Sequence, residues 1–352
     1  MHDYTNAHTS VTQATNVISI PDNLCVEAET FSYYFLEGYY IHPDFVAKYE
    51  LGYELGVGGN GLVLQARRRS DGQEVAVKFV YKGDDTEHWF QHPKYGPVTR
   101  DVVIMERAKH ENIVALLDVF GDEDYLYIVQ ELRGNIWYPV TKTGKKKFPN
   151  GSRCLQGLLS QERVLPLERT KYIFYQLVDA VAHLHSLGIS HCDIKPRNIL
   201  VDSDFKVTLI DFGNCITRPE CIPLGHGRVI YGDPDYYRGT RRFYPPEILN
   251  ELEFDAEAAD VWALGLVLCH MLLGRIPFQD TNDVRDGIFM RHFNGWEPLL
   301  PMWTVVSSCL ETRRTFRATA AELQLRDSFL HTARRRQIYE EPLCIGEWRE
   351  QK

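Results

Sequence analysis

Between residues 48 and 132, apolar and polar positions alternate in short runs. "LVLQA" (62–66) and "EVAVKFV" (74–80) alternate with a period of two, the pattern of a half-buried strand. "SDG" (70–72) supplies a turn between them. The whole stretch "KYELGYELGVGGNGLVLQARRRSDGQEVAVKFV" (48–80) therefore predicts three strands. "VTRDVVIMERAKH" (98–110) has helical character, and "NIVALLDVF" (112–120) and "YLYIVQEL" (125–132) predict strands again. This part of the chain is expected to be a small sheet with one helix.

The pattern changes after residue 135. "TKYIFYQLVDAVAHLHSLG" (170–188) sets Ile173, Leu177, Val181 and Leu184 on one face, with Gly188 placed to end the helix. "EAADVWALGLVLCHMLLG" (257–274) is apolar nearly all round, which predicts a deeply buried helix capped at Gly274. A β-rich lobe followed by an α-rich lobe gives an α+β, bilobal class, with a cleft between lobes as the expected ligand site. The joint falls near "QELRGN" (130–135). The basic stretch "TKTGKKKFPNGSR" (141–153) reads as a solvated loop, or alternatively as a docking patch for an acidic partner.

Composition narrows the class. A net charge of −9 argues against general nucleic-acid binding. The eight cysteines are scattered with no CxxC pair, so neither a zinc site nor a disulfide framework is expected. The N-terminal segment lacks a basic start and an apolar core, and the apolar run 261–274 is too short to span a bilayer. These features predict a soluble intracellular protein, cytoplasmic or nuclear, without membrane or nucleic-acid partners. Residues 1–30 are polar and read as a mobile tail.

Candidate chemistry gathers in four places. Gly56, Gly58 and Gly61 in "LGVGGNGLV" (55–63) form G-x-G-x-x-G between two strands. A dinucleotide fold would place a helix after the glycines. A glycine-rich hairpin instead lets backbone amides approach phosphates. Lys78 ends "VAVK", where a point cation suits a phosphate clamp. "HCDIKPRN" (191–198) packs Asp193, Lys195 and Asn198 into six positions. Asp211 in "DFG" closes an apolar run, where its carboxylate can hold Mg²⁺.

Taken in order, Gly56, Gly58, Gly61, Lys78, His191-x-Asp193, Asn198 and Asp211-Phe-Gly resemble the eukaryotic protein-kinase signature. "GTRRFYPPE" (239–247) and "DVWALG" (260–265) resemble later elements of the same family, and Arg317 resembles the arginine that pairs with the element's glutamate, here Glu247. The likeness runs from about residue 48 to 332 and implies a kinase domain over 49–332. Its N-lobe would cover about 49–132, its C-lobe about 135–332, and a tail 333–352. It implies ATP and Mg²⁺ as cofactors and protein substrates as partners. Asp193 would accept or orient the substrate hydroxyl proton, with Thr240 beside it. Asn198 and Asp211 would hold metal. Lys78 would clamp the α- and β-phosphates, and Lys195 would neutralise the γ-phosphate. Adenine would lie among Leu55, Val63, Ala76 and Leu200, with Gln130 as gatekeeper and the backbones of Glu131 and Arg133 bonding its edge. Leu117, Met105, Phe212, His191 and Asp260 match the family's hydrophobic spine. "KPRN" and Thr240 resemble the serine/threonine branch. "GPVTRDVVIM", "LIDFG" and "GTRRFYPPEIL" look like the PIM-like part of the calmodulin-dependent-kinase group, whereas "YIVQEL" looks like the mitogen-activated type.

Three positions depart from the pattern. Asp101 stands where the family has the glutamate that pairs with the strand lysine, shorter by one C–C bond, about 1.5 Å. Glu106 is the rival, but it lies about 140° further round the helix. Cys192 replaces the arginine of H-R-D, and a thiol cannot bind an activation-loop phosphate. Catalysis is therefore expected without phosphate on Thr217, Tyr231, Tyr236 or Tyr237, and Cys192 is expected to be a buried packing residue. Arg197 stands where kinases that favour basic substrates often carry glutamate, so no strong preference for basic substrates is expected. The alternatives are a pseudokinase scaffold, favoured by Asp101 and Cys192, and a small-molecule kinase, disfavoured by "GTRRFYPPE".

Overall fold

A computed structural model of the chain describes residues 39–58, 61–83, 89–136, 153–218, 237–250, 252–286 and 302–325. The expected tails at 1–30 and 333–352 and most of the basic stretch 141–153 lie outside these residues. The described chain opens with helix α1 (Pro43–Lys48) and strands β1 (Tyr49–Gly58), β2 (Gly61–Arg68) and β3 (Glu74–Tyr81). A strand pair β4 (Phe90–His92) and β5 (Gly96–Val98) and helix α2 (Arg100–Arg107) follow, then β6 (Leu116–Gly121) and β7 (Tyr125–Glu131). Next come α3 (Leu155–Glu162), α4 (Leu167–Ser186), β8 (Ile189–Ser190), β9 (Ile199–Val201), β10 (Val207–Leu209) and β11 (Ile216–Thr217). The rest is helical: α5 (Pro246–Leu249), α6 (Ala256–Leu273), α7 (Thr281–Arg285), α8 (Trp303–Cys309) and α9 (Ala320–Leu325).

The chain forms two compact units, and the first is discontinuous. It contains the described residues up to 83 together with Leu116–Leu132. Here the five strands pair antiparallel in the order β1-β2-β3-β7-β6. One face is filled by Leu64, Val75, Val77, Phe79, Tyr127 and Val129, all buried. Alternation in β2 and β3 put them there, since successive side chains of a strand point to opposite faces. Pattern reading missed α1, whose Phe45 is fully buried in the same cluster. Phe45 stacks on Tyr49 and meets Phe79, Phe120 and Tyr127 with ring centroids 5.4–6.3 Å apart. A six-residue helix is unstable alone. One buried Phe stabilises it by about 1.5–3 kcal/mol.

The second unit contains the described residues of 89–115 and those from Arg133 on. The expected N-lobe bounds 49–132 and this division differ in one place: the segment holding α2 groups with the second unit. The reason is visible at "NIV", which the pattern assigned to a strand of the sheet. Ile113 bridges Leu209 in parallel, the Leu209 N–H donates to the Asn112 carbonyl, and the Val114 N–H donates to the Leu209 carbonyl. Buried Asn112 also donates through Nδ2 to the Gln176 side chain and the Val207 carbonyl. Only from Leu116 does the chain join the sheet. The helix predicted over 98–110 is correspondingly confined to Arg100–Arg107.

The long helices follow the pattern. Ile173, Leu177, Val181 and Leu184 are all fully buried along α4. Gly188, just beyond its end, has φ +70°, and Gly274 caps α6 at φ +67°. Helix α6 has 18 residues, long and apolar enough to cross a membrane by length and composition, whereas the apolar run alone read as too short. Its window is 78% buried within the protein, so the apolar surface is spent on the core. At its first turn the Arg317 guanidinium donates to the Ala258 carbonyl at 3.0 Å, and it grips the buried Glu247 carboxylate with two bonds of 2.7 and 3.0 Å. That pairing ties α5 and α6 to the segment before α9.

Candidate active site

In the first unit, β1 and β2 form the glycine-rich hairpin, with Gly56 opposite Val63 and Gly58 opposite Gly61. Gly61 is obligatory: it has φ +127°, and a Cβ there would lie 2.1 Å from the Phe79 carbonyl oxygen. Gly56 differs, because a Cβ there would meet nothing within 4 Å. Its small size leaves open space beside the strand rather than serving the core. Lys78 is buried on β3, opposite Val63 on one side and Ile128 on the other. Ala76 is buried two residues earlier, opposite Gln130, while Leu55 and Val63 are half-buried. Glu131 ends β7 opposite Val75.

In the second unit, Asp193, Lys195, Asn198 and Thr240 come together. The buried Asp193 carboxylate accepts four hydrogen bonds. Oδ1 takes the Thr240 N–H at 2.9 Å and the Thr240 hydroxyl at 2.7 Å. Oδ2 takes Lys195 Nζ at 2.7 Å and Asn198 Nδ2 at 3.0 Å. Lys195 also donates to Thr240 Oγ1 at 2.8 Å, closing a ring of three side chains. Thr240 reaches this point because Gly239 precedes it. A Cβ on Gly239 would lie 2.3 Å from the Cys192 carbonyl oxygen.

The loop that carries Asp193 is held from below. Cys192 has φ +61°, unusual for a residue with a Cβ. It persists because the buried Asp260 carboxylate accepts the His191 and Cys192 N–H groups at 2.7 and 2.8 Å and meets His185 at 2.9 Å. The Asp193 N–H donates to His191 Nδ1 at 3.2 Å. The other ring nitrogen, Nε2, is left to donate to the Ile210 carbonyl at 3.1 Å. The imidazole thus links the Asp193 loop to the residue before Asp211.

Asn198 and Asp211 are the candidate metal holders. The β9–β10 hairpin pairs Ile199 with Leu209, and the Ile210 N–H donates to the Asn198 carbonyl at 3.0 Å, so the two residues bracket its open end. Asn198 spends its Nδ2 on the Asp193 carbonyl and carboxylate, which leaves Oδ1 as what it can offer a cation. Asp211 has φ +69° and is half-buried. Among the described residues no group of three or more His, Cys, Asp or Glu could hold an ion by itself. Two hard oxygen donors fit a divalent cation that completes its shell with substrate phosphate and water. Leu200 lies in this hairpin opposite Thr208 and bridges Cys154. Arg133 opens the second unit and is exposed.

The three departures find places too, Arg197 as an exposed residue of the 3₁₀ turn Pro196–Asn198. Asp101 lies in the first turn of α2, buried, and its Oδ1 accepts the Phe212 N–H at 3.2 Å. Glu106 is exposed and meets His92 at 2.9 Å. Cys192 is buried, and burial, followed by the Asp260 charge, pushes its thiol well up. Sequence reasoning missed Arg100, which donates to the Cys215 carbonyl at 2.5 Å. Nothing in its spacing marked it, since the acceptor is a backbone atom 115 residues away. Of the four hydroxyls considered as phosphate sites, Thr217 is half-buried in β11 and Tyr237 is buried against Tyr244 and Phe254, while Tyr231 and Tyr236 lie outside the described residues.

Comparison with known proteins bears on the same residues. The protein kinase domain family matches residues 49–329. CBL-interacting serine/threonine-protein kinase 24 of Arabidopsis thaliana is 32% identical over 258 residues, 73% of this chain and 50% of that protein. A probable serine/threonine-protein kinase of Dictyostelium discoideum is 31% identical over 262 residues, 72% of this chain and 16% of that protein. The PAS domain-containing serine/threonine-protein kinase of Mus musculus is 29% identical over 270 residues, 76% of this chain and 18% of that protein. The chain spans half the length or less of these relatives. The match takes in the glycine hairpin, Lys78, the Asp193 loop, Asp211 and the Glu247–Arg317 pair, and it covers most of the chain: the chain belongs to the protein kinase family.

Proposed function

We propose that the chain is an ATP-dependent serine/threonine protein kinase, which moves the γ-phosphoryl group of ATP to serine and threonine hydroxyls of protein substrates. The observation that carries this is the Asp193 carboxylate, fixed by Thr240, Lys195 and Asn198 at a half-open site. Asp193 orients the acceptor O–H and takes its proton as the oxygen bonds to the γ-phosphorus and the bond to the β–γ bridging oxygen breaks. All four Asp193 bonds are occupied before substrate binds, so one donor must yield. Lys195 is the one able to, since its side chain is 21% exposed against 4% for Asp193. Swinging Nζ to the γ-phosphate frees Oδ2 for the hydroxyl and places a cation on the charge being transferred.

Lys78 supplies the cation for the α- and β-phosphates, and the glycine hairpin supplies backbone N–H groups. Leu55, Val63, Ala76 and Leu200 supply apolar surface for adenine, with the backbones of Glu131 and Arg133 for its edge. Asn198 and Asp211 would hold Mg²⁺, which when bound neutralises phosphate charge. We place the activity in the cytoplasm or nucleus.

The test is transfer from labelled ATP with Mg²⁺ to a mixed protein substrate, comparing the full chain with Asp193→Asn. Labelled phosphoserine or phosphothreonine from the unaltered chain only is expected. Equal labelling by both, or none by either with Mg²⁺ or Mn²⁺, would overturn the proposal.

A further inference from the structure

We infer that the substrate of this kinase domain carries acidic residues directly beside the phosphoacceptor, drawn by a rim of exposed arginines around Asp193. The inference rests on the function proposed above and names the substrate class of the same site. Arg241 and Arg242 follow Thr240, the residue whose N–H and hydroxyl both hold Asp193 Oδ1, and both are exposed. Arg197 is exposed in the 3₁₀ turn Pro196–Asn198, between Lys195 and Asn198, which hold Oδ2. Arg238, also exposed, lies two residues before Thr240. Among the described residues no carboxylate pairs with Arg197, Arg241 or Arg242. The chain as a whole is acidic, at −9, so a basic rim here runs against its average charge.

Geometry sets which substrate positions feel this charge. Consecutive Cα atoms are about 3.8 Å apart, so residues within two of Thr240 lie within about 8 Å of it along the backbone. An extended substrate advances about 3.3 Å per residue. The rim therefore addresses residues within about two or three positions of the acceptor hydroxyl. Carboxylates there meet exposed guanidinium groups, and arginines there are repelled. Because the groups are exposed, the attraction is screened by salt.

The experiment compares kcat/KM of the full chain, with ATP and Mg²⁺, on serine peptides that differ only at the three positions on either side of the acceptor. The positions hold aspartate, alanine, arginine or phosphoserine, and the mixed protein substrate serves as the common control. An exposed ion pair contributes about two- to fivefold, so several acting together give the aspartate series an advantage of about tenfold over alanine. That advantage should shrink between low and high salt. In R241Q/R242Q and in R197Q the aspartate-to-alanine ratio should move toward one. If the double variant fails to fold by thermal melting, R197Q and R241Q decide singly. A phosphoserine series well above aspartate would assign the rim to pre-phosphorylated substrates, with the anionic chemistry upheld. Equal rates on aspartate and alanine, or preference for arginine, alongside normal transfer to the mixed protein, would overturn the inference and leave the kinase function standing. Transfer to no substrate would overturn both.

Discussion

The Asp101 carboxylate accepts the backbone N–H of Phe212 at 3.2 Å, joining the first turn of α2 to the residue after Asp211. Next to it, Arg100 donates to the Cys215 carbonyl at 2.5 Å. Two consecutive residues of α2 thus hold the backbone on both sides of Gly213, at the segment whose first residue is the proposed metal ligand. The shortness of aspartate at this position suits a backbone donor that lies close.

Asp101→Ala leaves a buried N–H unpaired, which should cost about 1–3 kcal/mol in denaturant unfolding. Phosphoryl transfer should fall by about 10²-fold as Asp211 loses its register. Asp101→Asn keeps Oδ1 and should retain most of the stability. Equal stability of the Ala and Asn variants would show that the bond matters little.

Thr240→Val removes the hydroxyl that donates to Asp193 and accepts from Lys195. With the carboxylate less well oriented, kcat should drop by about tenfold or more while KM for ATP changes little. Thr240→Ser should restore most of the rate. Steady-state kinetics on one peptide will check this.

The Glu247–Arg317 pair is fully desolvated on the arginine side. Arg317→Ala should destabilise the fold by about 3–5 kcal/mol, because Glu247 would be left buried and uncompensated. Replacing both residues by apolar ones of similar volume should recover much of this. Unfolding curves of the two single variants and the double variant give the coupling directly.

Burial pushes the thiols of Cys192 and Cys215 well up. Both should stay protonated and resist alkylation at pH 8, whereas the half-buried Cys154 should react first among the described cysteines. In the unfolded chain the same thiols ionise near about pH 8.5. Their contribution to stability is therefore complete below that pH and is lost as pH rises above it. Peptide mapping after alkylation, and unfolding midpoints between pH 7 and 10, test the two statements.

Cys192 offers no charge to a phosphate, and Arg100 already anchors Cys215 through a backbone oxygen. Phosphatase treatment of the full chain should thus leave transfer activity within about twofold. Loss of activity, restored by phosphorylation of Thr217, would contradict this.

Much of the site was legible in the chain itself. Asp193, Lys195 and Asn198 lie within six residues, so one short loop had to bring them together, whatever the rest did. Periodicity placed α4 and α6, and left-handed glycines ended them where expected. A period reports that a face is buried and is silent on what buries it. Hence the pattern in "NIVALLDVF" could not say that Asn112–Val114 pair with Leu209 while the rest joins the sheet. Helix α1 was invisible because six residues carry too little pattern, and its Phe45 is fixed by rings up to 82 positions away.

By itself, then, the sequence determined which local segments could be strands, helices and polar loops, because those choices depend on neighbours a few residues apart. Only the tertiary structure decided that Asp260 reaches back 69 residues to hold the His191–Cys192 backbone, and that Thr240 crosses 47 to hold Asp193. It also turned Asp101 to Phe212. Such contacts form only once hydrophobic burial has brought distant segments together, and a hydrogen bond between them leaves no periodic trace in the chain.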